Sequence, residues 1–352
     1  MSFSFYGAVV TCTSMPHFEC GSFYACNSTS NDRPDNSISS YLDFFLEDVR
    51  TGSRLTYKGK PYTEGSFIAL KQTCRIFREY ELYSRKRICF DDIDYSFFKS
   101  FVSYLYSLGY AHNTVAKNVK YLKILLSNAF LDGYAHKNVC LDKRFKVPCI
   151  ESDSIYLTRT EIDRMRDVDL SSLSPLHSVV RDVFMIGVWT AQRFSDYSRI
   201  DSSDILRCRV GDRNVTAIQV IQKKTGARVV IPCSNHLLEI LERYDYVIPR
   251  VSNQTLNEYI KVIARKAGID GDVAVTDTKG GKHVVRLVPR WKLVHSHTAR
   301  RTGATLMYLS GMDIYDIMKI TGHSSPVMLK KYIKADSLDV LDKIVSKYSY
   351  FD

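Results

Sequence analysis

Apolar residues recur at helical spacing between about residues 38 and 145. Phe97, Phe98, Phe101, Val102, Leu105 and Leu108 fall on one stripe before Gly109, and Val115, Val119, Leu122, Leu126 and Ala129 on a second that opens after Asn113 or Thr114. A stripe with this period is the core face of an amphipathic helix, so the segment reads as a helical domain. Polar residues around Pro148, from Lys146 to Ile155, interrupt the pattern as a linker does. Thr158-Arg159-Thr160-Glu161 then carries both halves of a capping box, which predicts a new helix and a second domain.

The second domain mixes two periods. Residues 178–190, 235–244 and 255–267 have helical spacing, whereas the β-branched runs 215–221 and 228–231 flank Lys223-Lys224-Thr225-Gly226-Ala227. That pentapeptide reads as a hairpin turn with Gly226 at positive φ, and 284–288 as a third strand of the same small sheet. Leu338, Leu341, Ile344 and Val345 predict a last helix at 337–348. The expected fold class is mainly α with a small β-sheet: a helical domain at 37–148 and a mixed α+β domain at 156–352. Residues 1–36 are rich in Ser, Asn and Cys without periodicity, and are expected to form a flexible segment.

Length and composition agree with two domains, since 352 residues at 45% apolar content supply two proper cores. A formal charge of +11 favours an anionic partner, and duplex DNA carries one charge per ~1.7 Å of its axis. The nine cysteines form no C-x-x-C pair, so Cys12, Cys20 and Cys26 read as free thiols of a reducing compartment rather than a zinc site. The opening run from Phe3 to Val10 has no basic flank and is too short to span a bilayer. A cytoplasmic, DNA-associated protein without a membrane partner is expected.

The chemistry lies near the C-terminal end. A phosphodiester under attack gathers negative charge on its equatorial oxygens, so breaking it without a metal takes fixed cations, a placed nucleophile and a proton donor for the leaving oxygen. Arg193, Lys224, His297, Arg300, His323 and Tyr332 supply all three kinds of group. His297 and Arg300 are three apart at the start of an apolar-periodic run to Gly311, which puts them near one helical face. Gly322 reads as a left-handed helix cap, Ser325-Pro326 as an N-cap with Pro at the first helical position, and Tyr332 as late in that short helix. His295-Ser296-His297 offers a competing thought, because two histidines flanking one residue on a strand can share a metal. The residue between them is not apolar and no further ligands cluster nearby, so neither metal nor any other cofactor is expected.

These segments resemble the tyrosine recombinase family, the phage-integrase-like enzymes that cut and rejoin DNA. The resemblance rests on Thr190-Ala191-Gln192-Arg193-Phe194-Ser195-Asp196, the Lys224 turn, 296–311 and 321–333, and extends more weakly over residues 37–352. It departs at Ala191 and Gln192, where a Gly and an aliphatic residue are common. The resemblance implies a helical core-binding domain followed by a catalytic domain. It makes Tyr332 the nucleophile of a 3′-phosphotyrosyl link, Arg193 and Arg300 the phosphate clamp, Lys224 the proton donor to the 5′ oxygen, and His297 and His323 supporting acid/base groups, with neither metal nor ATP. Strand register alone leaves Lys223 and Lys224 open, and the resemblance favours Lys224. Lys223, Arg75, Arg78, Lys117, Lys120 and Lys123 are expected to meet DNA phosphates.

The implied partners are double-stranded DNA, further copies of the chain in a tetramer on that DNA, and accessory DNA-bending or directionality proteins. By its apolar spacing alone the C-terminal helix would pack against its own domain, whereas the resemblance implies that it docks on a neighbouring copy. Two other functions use overlapping features: a type IB topoisomerase-like nicking and closing enzyme, and a DNA-binding regulator that keeps the fold without the reaction. An intact residue set argues against the regulator, since binding alone has no use for Tyr332.

Overall fold

The computed structural model describes residues 37–347. The flexible segment expected at 1–36, with Cys12, Cys20 and Cys26, lies outside the described residues. The chain divides into two compact units, one made of residues up to Tyr104 with Val115–Val147, the other of Leu105–Thr114 with the chain from Pro148 onward. Among the described residues no helix is long and apolar enough to cross a membrane.

The first unit is built on α1 (Ile38–Thr51), α2 (Glu64–Ser84), α3 (Tyr95–Ser107) and α4 (His112–Leu131). Ser37 and Thr63 cap the first two, each hydroxyl accepting from the backbone three residues on. The predicted stripes point inward, with Phe97, Phe98, Phe101 and Leu105 buried on α3 and Val115, Val119, Leu122, Leu126 and Ala129 on α4, except that Leu108 lies past the end of α3 and is exposed. Rings of Phe77, Tyr80, Phe97 and Phe101 pack together with centroids 5.3–6.4 Å apart, the spacing at which edge and offset contacts add to burial. One buried polar link, Thr73 Oγ1 to Asn118 Oδ1 at 3.1 Å, joins α2 to α4. α4 starts at His112, a little earlier than its apolar stripe suggests.

The second unit continues with α5 (Arg159–Asp167), α6 (Pro175–Thr190), α7 (Phe194–Tyr197), β1 (Ile205–Val210), β2 (Arg213–Ile221), β3 (Arg228–Pro232), α8 (Asn235–Arg243), α9 (Asn253–Lys266), β4 (Asp272–Lys279) and β5 (Lys282–Pro289). It closes with α10 (Ser296–Leu309), α11 (Ile314–Thr321), α12 (Pro326–Lys330) and α13 (Ser337–Lys347). The capping box is formed: Thr158 Oγ1 accepts from Glu161 N, and Glu161 Oε2 from Thr158 N. α6 begins three residues earlier than its apolar period suggests, because Ser174-Pro175 is the same N-cap and proline signal that opens α12.

The expected single sheet is two. β1, β2 and β3 form an antiparallel sheet in that order, with Ile218 opposite both Ile205 and Ile231. The run at 284–288 belongs instead to β5, which among the described residues pairs only with β4. Both missed strands, β1 and β4, are edge strands with no fully buried residue among those described, so little buried surface imposes a pattern on their sequences.

α10 lies against α6 at the centre of this unit. Gly303 makes the approach possible: a Cβ there would stand 2.2 Å from the Val188 carbonyl oxygen and 2.9 Å from Ala191 Cβ. Gly303→Ala is therefore expected to force the two helices apart at a cost of about 3 kcal/mol, the upper end of overpacking. Chemical denaturation reads this directly, and an unchanged midpoint would show that the helices give way freely.

Candidate active site

Two helices end at the same place. α6 terminates at Thr190, where Ala191 takes the left-handed conformation (φ +50°), and α11 at Thr321, where Gly322 does so (φ +69°). The last carbonyls of a helix have no partner within it and form the negative pole of its dipole. Arg300, on α10, is wholly buried between these ends. Its Nη1 donates to the Ala191 carbonyl at 3.0 Å, and its Nη2 to the Thr321 carbonyl at 2.9 Å and to His323 Nε2 at 3.1 Å. The hydrogen bonds that hold this buried guanidinium thus come from two helix C-termini and His323. Burial, with Arg193 nearby, pushes its pKa down to about 10, which leaves it charged at neutral pH. Its Nε is buried and has no hydrogen-bond partner among the described residues.

The contact to Arg300 fixes the His323 tautomer. Nε2 accepts, so it bears no proton, and the Nδ1–H donates to Thr321 Oγ1 at 2.8 Å, whose own proton goes to the Ile317 carbonyl at 2.6 Å. Burial, then the charges of Arg300 and Arg193, push the His323 pKa down to about 3. His295 is lowered to about 4, again chiefly by burial. An unfolded histidine titrates near ~6.5, so below that pH the unfolded chain binds protons that the folded chain refuses. Stability is expected to be level above about pH 6.5 and to fall as pH drops through 5 and 4. Urea unfolding at pH 7 and pH 5 tests this; His323→Gln should recover part of the difference, and equal midpoints at the two pH values would contradict it.

Tyr332 joins the same cluster. It sits in the turn just past α12, not late within the helix, because the helix ends at Lys330. Its ring lies 5.1 Å from the Arg300 guanidinium carbon and 4.7 Å from the His323 ring. From α10, the Thr305 hydroxyl donates to the Tyr332 carbonyl (3.4 Å) and accepts from Lys334 N (3.0 Å), which anchors the segment. Around the tyrosine pack Ala304, Ile317 and Leu329.

Arg193 follows the end of α6 and caps α7. It donates to Gln222 Oε1 at 3.1 Å and lies 3.7 Å from Asp196 Oδ2, an oxygen that is buried and accepts no hydrogen bond among the described residues. The other Asp196 oxygen accepts from Lys223 N at 2.9 Å, tying the hairpin turn to the arginine segment. Lys223 and Lys224 are both exposed on that turn, with Gly226 at φ +71° as its sequence suggests. His297 is solvent-facing on the first turn of α10. Its pKa is lowered by partial desolvation against the protein surface and by the charges of Arg301, Arg300, Arg193 and Lys224 in that order, so four of the six expected residues and one unexpected cation, Arg301, act around one spot.

His295 is the N-cap of α10, its Nδ1 accepting from His297 N at 3.2 Å. The paired-histidine metal reading needed a strand. At a helix start residues two apart diverge, and the two rings stand 6.2 Å apart at 73°. Gln192 and Gln222 are the polar groups that the sequence reading passed over. Both are buried in the cluster, and Gln222 continues the inward series Ile218, Val220 along β2, where a polar residue was the available signal.

The other cations belong to the first unit. Lys117 and Lys120 are exposed on α4, whereas Lys123 donates to the Phe145 carbonyl at 2.8 Å. Arg75 faces Glu79 at 3.6 Å and Arg78 pairs with Asp43. Farther along the second unit, α13 packs in the same chain: Tyr156 donates to Asp339 at 2.7 Å and Lys343 lies over the Tyr308 ring. Its Leu338, Leu341 and Val345 remain 74%, 55% and 51% exposed.

Comparison with known proteins follows the same division. The phage integrase family model matches residues 156–338, and that of the phage integrase SAM-like domain residues 37–146. No curated protein matches the chain. Among solved structures, a lambda integrase tetramer bound to a Holliday junction is similar at 18% identity and TM-score 0.60, covering 86% of this chain and 79% of that one. The integrase of the Tn1549 transposon, in complex with a circular intermediate DNA, is similar at 13% identity and TM-score 0.61, covering 89% of this chain and 100% of that one. At such identities the likeness is one of fold. With the first model spanning more than half of its 352 residues, the chain belongs to the phage integrase family, that of the tyrosine recombinases.

Proposed function

We propose that this protein is a site-specific DNA recombinase, an integrase that cuts and rejoins duplex DNA through a covalent 3′-phosphotyrosyl intermediate and uses neither metal nor ATP. The observation that carries the reading is the stacking of Tyr332 beneath a buried arginine that also holds His323, with Arg193 close by. Tyr332 Oη attacks phosphorus and forms the new P–O bond while the bond to the 5′ oxygen breaks. The phenol proton passes to His297, whose lowered pKa keeps it unprotonated and fit to accept it. Lys224 supplies a proton to the departing 5′ oxygen. Arg193 and Arg300 hold the phosphate oxygens; the unpartnered Arg300 Nε is a donor that a phosphate would satisfy. Because the bond energy is kept in the protein–DNA link, rejoining is the same step run backwards.

The domains follow this use: 37–148 a core-binding domain, 156–352 a catalytic domain. The solved structures similar in fold include integrases bound to DNA, one as a tetramer on a Holliday junction. We take duplex DNA and further copies of this chain as partners, with the exposed apolar side of α13 as the surface between copies. Lys117 and Lys120 are placed on the DNA; reversing both charges is expected to weaken binding and lower its salt slope by about 2, and an unchanged slope in a salt titration would remove them from the interface.

The test is incubation with a pool of nicked suicide duplexes, followed by denaturing gels and sequencing of the attached strand. A recombinase gives a covalent adduct at a defined sequence. Relaxation of supercoiled plasmid regardless of sequence would favour a nicking and closing enzyme, and a gel shift with no adduct a regulator.

A further inference from the structure

Four backbone carbonyls at the converging ends of α6 and α11 need partners, and side chains provide them. Arg300 takes Ala191 and shares Thr321. Gln192 Nε2 donates to the carbonyls of Thr190 (3.1 Å) and Ile320 (2.7 Å), and so bridges one helix end to the other. Gln222 Nε2 donates to the Thr321 carbonyl at 2.8 Å and to Gln192 Oε1 at 2.7 Å. Its own Oε1 accepts from Arg193 at 3.1 Å and from the Thr225 hydroxyl, inside the Lys224 turn, at 2.8 Å. Both amides are essentially without solvent exposure. Gly322 makes room for them: a Cβ there would stand 2.4 Å from Gln222 Nε2.

We propose that Gln192 and Gln222 form a positioning pair that locks the Lys224 hairpin turn and Arg193 onto the Thr321-Gly322-His323 corner. The pair touches no substrate. Every hydrogen-bonding atom of the two side-chain amides that these contacts use has a directional role, so an apolar residue of equal size keeps the packing and loses the register. A buried polar network with all members satisfied fixes one geometry where apolar packing tolerates several. The two glutamines close a chain of contacts from the hairpin to both helix ends, and so set the distance between Lys224, which is carried by an exposed turn, and the buried arginines. For the reaction this rests on the recombinase reading above; for the structure it does not.

The experiment compares the full-length wild type with Gln192→Met, Gln222→Met and the double variant by amide hydrogen exchange and by single-turnover adduct formation on the suicide duplex. Each single change is expected to speed exchange in 222–227 and 321–325 by about tenfold and to slow adduct formation by ten- to a hundredfold, with DNA affinity held within about twofold. Because the pair is one network, the double variant should be no worse than the poorer single. Unchanged exchange at the turn, multiplying losses in the double variant, or a lower melting temperature as the sole effect would overturn the pair. Should a Met variant fail to fold, Gln222→Glu keeps an acceptor for Arg193 and removes the donor to Thr321 and Gln192; faster turn exchange then supports the pair and unchanged exchange refutes it. A wild type that never attaches to DNA sinks the recombinase reading alone, since the exchange data still decide the pair.

Discussion

Replacing Tyr332 by Phe is expected to abolish the covalent protein–DNA link while leaving the fold and the affinity for DNA almost unchanged. The change removes one oxygen. The ring keeps its place 5.1 Å from the Arg300 guanidinium and 4.7 Å from the His323 ring, and the face that attracts the cation is common to both residues. The backbone anchor from Thr305 to the residue's carbonyl does not involve the side chain. Loss of the proposed nucleophile should cost on the order of 10⁴-fold or more in rate, which is below detection in a gel assay. Denaturing gels of the suicide substrate, run beside a binding titration, separate the two effects. An adduct that persists in the Phe variant would move the nucleophile elsewhere, and a collapse of binding would mean that the hydroxyl serves structure.

Changing Arg300 should damage both function and stability, in contrast to Tyr332. Arg300→Lys keeps the charge but replaces a planar fork with a single nitrogen, which cannot serve the Ala191 and Thr321 carbonyls and His323 in the observed directions. If Arg300 clamps the phosphate as proposed, one lost donor there is expected to cost about 10²–10³-fold in rate. Arg300→Ala goes further. It leaves the Ala191 carbonyl buried without its donor and opens a cavity between α6 and α11, a loss of about 2–4 kcal/mol. Single-turnover kinetics and urea unfolding on the same preparations give both numbers. A Lys variant with normal rates would show that charge alone suffices, and an Ala variant of normal stability would contradict the account of two helix ends held by one guanidinium.

Local sequence signals mislead at identifiable places. Tyr332 was placed within a helix because Ser325-Pro326 announces where α12 starts, while nothing comparable marks where so short a helix stops. One sheet was expected and two are present, because β1 and β4 are edge strands with little buried surface to impose a pattern. In the sequence Gln192 stands only as a departure from the family pattern. In the fold it is hydrogen-bonded to two helix ends and to Gln222 across 30 residues of sequence.

What the sequence determined by itself was whatever is encoded within a few residues: the helical periods, the caps at Thr158, Ser325 and Gly322, the hairpin turn at Gly226, and an ordered set of residue types suited to phosphoryl chemistry. These signals are local because helix and turn geometry depends on neighbours one to four positions apart. Only the tertiary structure decided that α6 and α11 end against one another, that Arg300 fills the gap between them, and that two glutamines satisfy the carbonyls left over. Apart from the local bond of Gln192 to Thr190, those contacts join residues 21 to 128 positions apart, and whether a buried polar group is satisfied depends on which chain segments meet, a property that no local stretch of sequence contains.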